Sequence, residues 1–251
     1  MKIFKFLLFC FSLFFAGDIS AQIIKKPVSK KVVITKVTTK KPIKKPVKIS
    51  VIKALPDNSI KIKIVTDSGT MIVKLYDSTP LHRDNFVKLV KEGFYDSLLF
   101  HRIIQGFMIQ GGDPNSKNAA AAVILGNGGD NMARIPPEFR KSLYHKKGVL
   151  AAARDGNPEK ASSACQFYIV QGKLLSDAEL DMMEQRIGSK YTLLQRNIYK
   201  KIGGTAMLDQ NYTVFGEVIS GLDVVDKIAS APKAPGDRPI GDIRMKMEVV
   251  K

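Results

Sequence analysis

The chain of 251 residues has no tryptophan, two cysteines and three histidines. Two cysteines exclude a disulfide-stapled scaffold and a cysteine-rich zinc fold, and three histidines leave little material for a metal centre. No G-x-S-x-G elbow, H-E-x-x-H pair or phosphate loop occurs, which removes the common serine-hydrolase, zinc-protease and nucleotide-binding readings. The glycine-rich GNGGD at 126–130 fits no dinucleotide fingerprint and reads as a turn. Acid is missing locally: residues 22–53 hold eleven lysines and no Asp, Glu or Arg. Most of the net charge of +17 therefore belongs to an arm, and the remaining body is only mildly basic. With 45% hydrophobic residues the chain is not disordered throughout, and its length allows one large domain or two small ones.

Long apolar runs are also missing. The longest, Phe6–Ala16, is too short for a membrane-spanning helix of about twenty residues. It follows Lys2 and Lys5 and precedes the small residues Ser20 and Ala21, the pattern of a signal peptide over residues 1–21. Export to the periplasm or cell envelope is the expectation, and cleavage after Ala21 would leave Cys165 as the sole cysteine. Residues 22–56 then form a lysine- and proline-rich linker, with KKP at 25–27, 40–42 and 44–46. Like charges and prolines at this density favour an extended tether. Its lysines suit an anionic membrane or cell-wall surface, whereas nucleic acid is an unlikely partner for an exported protein.

From residue 60 the hydrophobic period becomes two. Ile60, Ile62 and Ile64 share one face, Met71, Val73 and Leu75 another, and Asp67-Ser68-Gly69 lies between them, so a β-hairpin is expected. A helix follows, capped by Thr79, with Pro80 in its first turn, an apolar stripe of Phe86, Leu89 and Val90, and Gly93 at its end. Further short apolar runs at 98–104, 107–110, 148–152, 166–170, 213–219 and 243–249 predict a mainly β fold, a closed antiparallel barrel with a few helices. Residues 173–204 interrupt that rhythm. Ser176 with Glu179 and Thr192 with Gln195 are capping boxes, Leu180, Met183 and Ile187 and then Leu194, Ile198 and Ile202 are apolar faces, and Gly188 and Gly203-Gly204 are stops. This segment reads as an inserted helical hairpin that caps the domain.

Three blocks carry a resemblance. FHRIIQGFMIQGGD at 100–113 resembles the signature segment of the cyclophilin-type peptidyl-prolyl cis-trans isomerases, with Gln105 where proline is common. GVLAAARDGNPEKASSACQFYIV at 148–170 and LDQNYTVFGEVISGLDVVDKI at 208–228 resemble two further blocks of that family in the same order. The resemblance spans residues 57–251 apart from 173–204, and implies an eight-stranded antiparallel barrel capped by two helices. It implies a monomeric isomerase that needs no cofactor or metal and acts on proline-containing polypeptide clients. On this resemblance Arg102, Phe107 and Gln110 are the candidate catalytic residues. Met108, Ala153, Arg154, Gln166, Tyr168, Leu208 and Tyr212 are the candidate substrate-binding residues. Met207 stands where the family often has tryptophan, which implies weak binding of cyclosporin-type macrocycles. Tyr212 replaces a frequent histidine, Tyr168 a commoner phenylalanine, and 118–122 a glycine-rich loop.

The reaction itself explains these residue types. The prolyl bond turns over in tens to hundreds of seconds because rotation sacrifices amide resonance, across a barrier of about 18–20 kcal/mol. Catalysis requires a pocket for the ring and a donor that meets the nitrogen lone pair only in the twisted state, with no nucleophile or base. Arginine, always charged and rigidly forked, suits that donor role. The competing reading of the same sequence is a proline-peptide-binding or chaperone module with weak catalysis, tethered by its basic arm. A thiol site pairing Cys165 with His101 or His145 has no local signature, and Cys165 is expected as a small buried hydrophobe.

Overall fold

In this computed structural model the described residues are 59–121 and 123–250; the expected signal peptide and basic arm lie outside them. Strands β1 (Lys61–Thr66) and β2 (Gly69–Leu75) form the expected hairpin, with Ile62 opposite Val73 and Ile64 opposite Met71. Thr66 pairs with Gly69, so Asp67 and Ser68 make a two-residue turn, and the Thr66 hydroxyl bridges it by donating to the Gly69 carbonyl. Strand β8 (Met245–Val250) pairs with the other edge of β1, placing Met247 beside Ile64.

The remaining strands are β3 (Phe100–Ile104), β4 (Met108–Gly111), β5 (Val149–Ala152), β6 (Phe167–Val170) and β7 (Val214–Ser220). All pairings are antiparallel, in the order β3-β4-β6-β5-β7-β2-β1-β8. The sheet curls until its ends meet. There the closure is slighter than a full ladder: one bridge joins Leu99 to Arg244, flanked by bonds from Phe100 N to Ile243 O and from Met245 N to Leu98 O.

The alternation expected from sequence sorts each strand into two faces. Ile103, Ile109, Leu150, Phe167 and Ile169 point inward with Ile62, Ile64, Met71 and Val73, and all are at least 99% buried. Helices α1 (Pro80–Lys91) and α4 (Leu222–Ala229) cap this core with Phe86, Leu89 and Val90, and with Val224, Val225 and Ile228. Phe86 meets Phe167 and Phe215 edge-on, at centroid distances of 5.6 and 5.4 Å. Burying each such side chain contributes about 1.5–3 kcal/mol.

Two local expectations are corrected. Thr79 occupies the N-cap of α1, but its side chain makes no capping bond and its hydroxyl instead reaches the Tyr76 carbonyl. The free amides of Leu81 and His82 are met by the Glu138 carboxylate, at 3.2 and 3.0 Å, which also holds His82 Nδ1. A carboxylate suits the positive end of the helix dipole. In the inserted segment α2 (Asp177–Ile187) and α3 (Leu193–Lys201) carry both capping boxes, and Gly188 ends α2 in the left-handed region. The buried face of α3 is not the aliphatic one, however. Leu194 and Ile202 are exposed, and Tyr199 is fully buried instead, because it finds a carboxylate partner inside. Among the described residues no helix is long and apolar enough to cross a membrane.

Candidate active site

The outward face of the same strands builds a second apolar cluster. Met108, Val149, Ala151, Ala153, Tyr168, Val170 and Val214 form its floor, with Phe107, Leu208 and Tyr212 packed at its margin. Register makes this unavoidable: Arg102 pairs with Gln110, Gln110 with Tyr168, and Tyr168 with Ala151, so one rung across four strands shows these side chains on one face. Gly112 lets β4 leave the sheet beside β6, since a Cβ there would collide with the Cys165 carbonyl and its φ is +91°.

A pocket of about 100 Å³ opens in this face, lined by Arg102, Phe107, Met108, Gln110, Ala153, Arg154, Tyr168, Leu208 and Tyr212. Of the ten candidates from sequence, nine therefore meet around one cavity. The tenth, Gln166, lines an adjoining depression of about 410 Å³ that shares Gln110, Ala153 and Arg154 with the pocket.

Polar contacts hold the rim. Arg102 is 43% exposed at its side chain, donates to Gln110 Oε1 at 3.4 Å and lies 3.8 Å from Asp237 Oδ2. Gln110 donates in turn to Gln166 Oε1 at 3.0 Å, and the Gln166 amide donates to the carbonyls of Gly126 and Gly128, each at 2.9 Å. The guanidinium, which lines the cavity, thus lies at the end of a train of amides. Arg154 is tied to the Asn211 carbonyl and lies 4.7 Å over the Tyr212 ring, a cation–π contact. Tyr212 meets Tyr168 edge-on at 5.9 Å. Burial pushes the Tyr168 hydroxyl well above its ordinary range, so it remains protonated.

Beside Arg102, His101 is 3% exposed, and neither ring nitrogen has a partner among the described residues. Burial lowers its pKa to about 4; Asp113 opposes that shift while Arg102 and Arg238 add to it. The thiol reading has no geometry to support it. Burial raises the Cys165 pKa, its sulfur lies 3.8 Å from the Ser163 hydroxyl, and His145 is engaged by Asp209 and Tyr168.

Sequence reasoning missed Asp237, which sits in a Pro-Gly-Asp turn whose only local message is a change of direction. It also took GNGGD for a plain turn, whereas the Gly126 and Gly128 carbonyls form the far anchor of the amide train. Met207 is half exposed and lies next to the pocket residue Leu208 without lining the cavity.

Known proteins share both the sequence pattern and the fold. The family profile described as cyclophilin type peptidyl-prolyl cis-trans isomerase/CLD matches residues 61–249. A Staphylococcus haemolyticus protein named as a candidate peptidyl-prolyl cis-trans isomerase is 34% identical over 192 residues, covering 76% of this chain and 91% of that protein. A Staphylococcus saprophyticus protein of the same description is 35% identical over 198 residues, covering 77% and 93%. Among solved structures, a Cryptosporidium parvum cyclophilin-type isomerase superposes with a TM-score of 0.56 at 22% identity, covering 77% of this chain and 98% of its own. The same protein crystallised in the presence of the dipeptide Ala-Pro gives a TM-score of 0.55 at 22% identity, covering 76% and 99%.

Proposed function

The chain belongs to the cyclophilin-type peptidyl-prolyl cis-trans isomerases, and from that premise we propose that it assists the folding of exported proteins by donating from Arg102 to the twisted prolyl amide. The observation that carries this reading is the pocket itself: a guanidinium held at the rim of an apolar floor, with an amide train behind it. The proline ring enters over Phe107, Met108 and Leu208, with the Tyr168 ring face as its base. As the bond rotates, the nitrogen becomes pyramidal and its lone pair faces the rim, where an Arg102 N–H can donate. In the planar ground state that lone pair is delocalised and accepts poorly, so the bond forms mainly in the transition state. Each tenfold of acceleration requires about 1.4 kcal/mol, within reach of a few charge-assisted hydrogen bonds. Gln110 orients the guanidinium, while Gln166, Arg154 and the Ala153 backbone hold the client chain on either side of the proline.

Export rests on the apolar start of the chain and on the lysine arm at 22–53, which would keep the mature protein near anionic envelope surfaces. The test is acceleration of cis-to-trans isomerisation of a short X-Pro peptide at micromolar protein, without added metal or nucleotide. A rate no higher than the uncatalysed background would return the chain to the alternative of a binding or chaperone module.

A further inference from the structure

The base of the pocket is wired to the inserted helices by a buried chain of hydrogen bonds. Tyr168 Oη lies 2.8 Å from His145 Nε2, and His145 Nδ1 lies 2.7 Å from Asp209 Oδ1. The other carboxylate oxygen, Asp209 Oδ2, accepts from Tyr199 Oη at 2.6 Å and from Tyr191 Oη at 2.7 Å. Tyr199 and His145 are fully buried, Asp209 and Tyr168 at most 4% exposed, so these bonds work in a medium of low dielectric. Their directions follow from valence. An ionised carboxylate only accepts, so His145 Nδ1 carries a proton; in the neutral imidazole Nε2 then accepts, and Tyr168 donates to it. The His145 backbone amide also donates to Asp209 Oδ1 at 2.7 Å, so four donors saturate one carboxylate. Two of the four come from the inserted segment.

We propose that the helical segment 177–201 is a positioning element of the isomerase pocket, with Tyr191 and Tyr199 acting through Asp209 and His145 to fix the ring of Tyr168. A segment serving only as a cap would bury apolar surface, as this one does with Leu180, and nothing more. This one sends two hydroxyls to a single carboxylate that lies next in sequence to the pocket residue Leu208. The Tyr168 hydroxyl gives the network a handle on the pocket floor that a phenylalanine would lack. Small displacements of that floor matter because catalysis depends on where the twisted amide sits relative to Arg102.

The inference rests on the proposed isomerase site, and a double-mutant cycle separates the two. In the full chain, Tyr191→Phe/Tyr199→Phe should lower kcat/KM for a short X-Pro peptide about five- to tenfold, mainly in kcat. Tyr168→Phe sets a new baseline, and against it the same pair should change kcat/KM by less than twofold. Equal losses in both backgrounds, or no loss in either, would overturn the proposal. Tyr191→Phe alone, at a half-buried position, serves the cycle if the double variant does not fold. A second readout is independent of turnover: the ring nitrogen shifts of His145 and the ring proton shifts of Tyr168 should move in Tyr191→Phe/Tyr199→Phe. Unmoved shifts would likewise overturn it. A wild type without isomerase activity would sink the proposed function, while the shifts would still decide the wiring.

Discussion

Adjacent residues of β6 show how differently the two faces of the curled sheet are built. Phe167 points inward, where Phe86, Tyr95 and Phe100 surround it edge-on and no polar partner is needed. Tyr168 points outward into a floor that is just as buried but is ordered by hydrogen bonds running to His145 and Asp209. One face stores stability in shape, and the other is ordered by directional bonds. The lesson is that burial alone does not distinguish core from site; the kind of contact does.

The sharpest break in that comparison is a pair of neighbouring substitutions. Phe167→Ala should destabilise the fold by about 3–5 kcal/mol in urea unfolding, through lost burial and the cavity left behind. That is a large part of the roughly 5–15 kcal/mol of a typical domain. Tyr168→Phe keeps the ring and should cost about 1–3 kcal/mol, the penalty of leaving His145 Nε2 without its donor. Equal costs would mean that the faces are not organised differently.

A second prediction concerns pH. The folded-state pKa of His101 is lowered from 6.5 to about 4, so between those values the unfolded chain binds a proton that the folded chain does not. Stability is therefore fully present above about pH 6.5 and declines as the pH falls toward 4, each unit costing about 1.4 kcal/mol at most. His82, whose pKa is lowered by burial with Glu138 opposing, acts in the same direction. The check is unfolding free energy against pH for wild type and His101→Asn, whose slope over that window should be shallower. An unchanged slope would remove His101 from the account.

What the sequence disclosed and what it withheld follow the same physical line. Period-two alternation in IKIKIVT and TMIVKLY determined the hairpin, and the capping boxes at Ser176 and Thr192 determined the two inserted helices, since both signals are local. The pocket residues were legible through the family's blocks, because strand register carries Arg102, Gln110 and Tyr168 onto one rung. Contacts between distant segments were not legible. Glu138 capping α1, Asp237 beside Arg102 and Tyr199 on Asp209 each join residues whose neighbours in sequence give no hint of the partner. The last of these also misled the reading of α3, where hydrogen bonding outweighed an aliphatic stripe.

The smallest expected effect tests whether the arm matters to the site. A chain beginning at Ala54 should isomerise a short neutral peptide at the wild-type rate, within about twofold, because the pocket lies wholly within residues 102–212. The same truncation should abolish salt-sensitive adsorption to anionic vesicles, where each engaged lysine contributes about 1 kcal/mol. A large change in peptide turnover would show that the arm acts on the catalytic face.

The central claim is that Arg102 acts on the twisted amide rather than as an anchor, and Arg102→Ala tests it most directly. Exchange spectroscopy on an X-Pro peptide at saturating enzyme gives the catalysed rate, and titration of the same peptide gives its affinity. The account predicts a rate loss of about 100-fold or more, roughly 2.7 kcal/mol, with affinity changed less than about threefold. Equal losses in rate and affinity, or a rate near that of wild type, would contradict it.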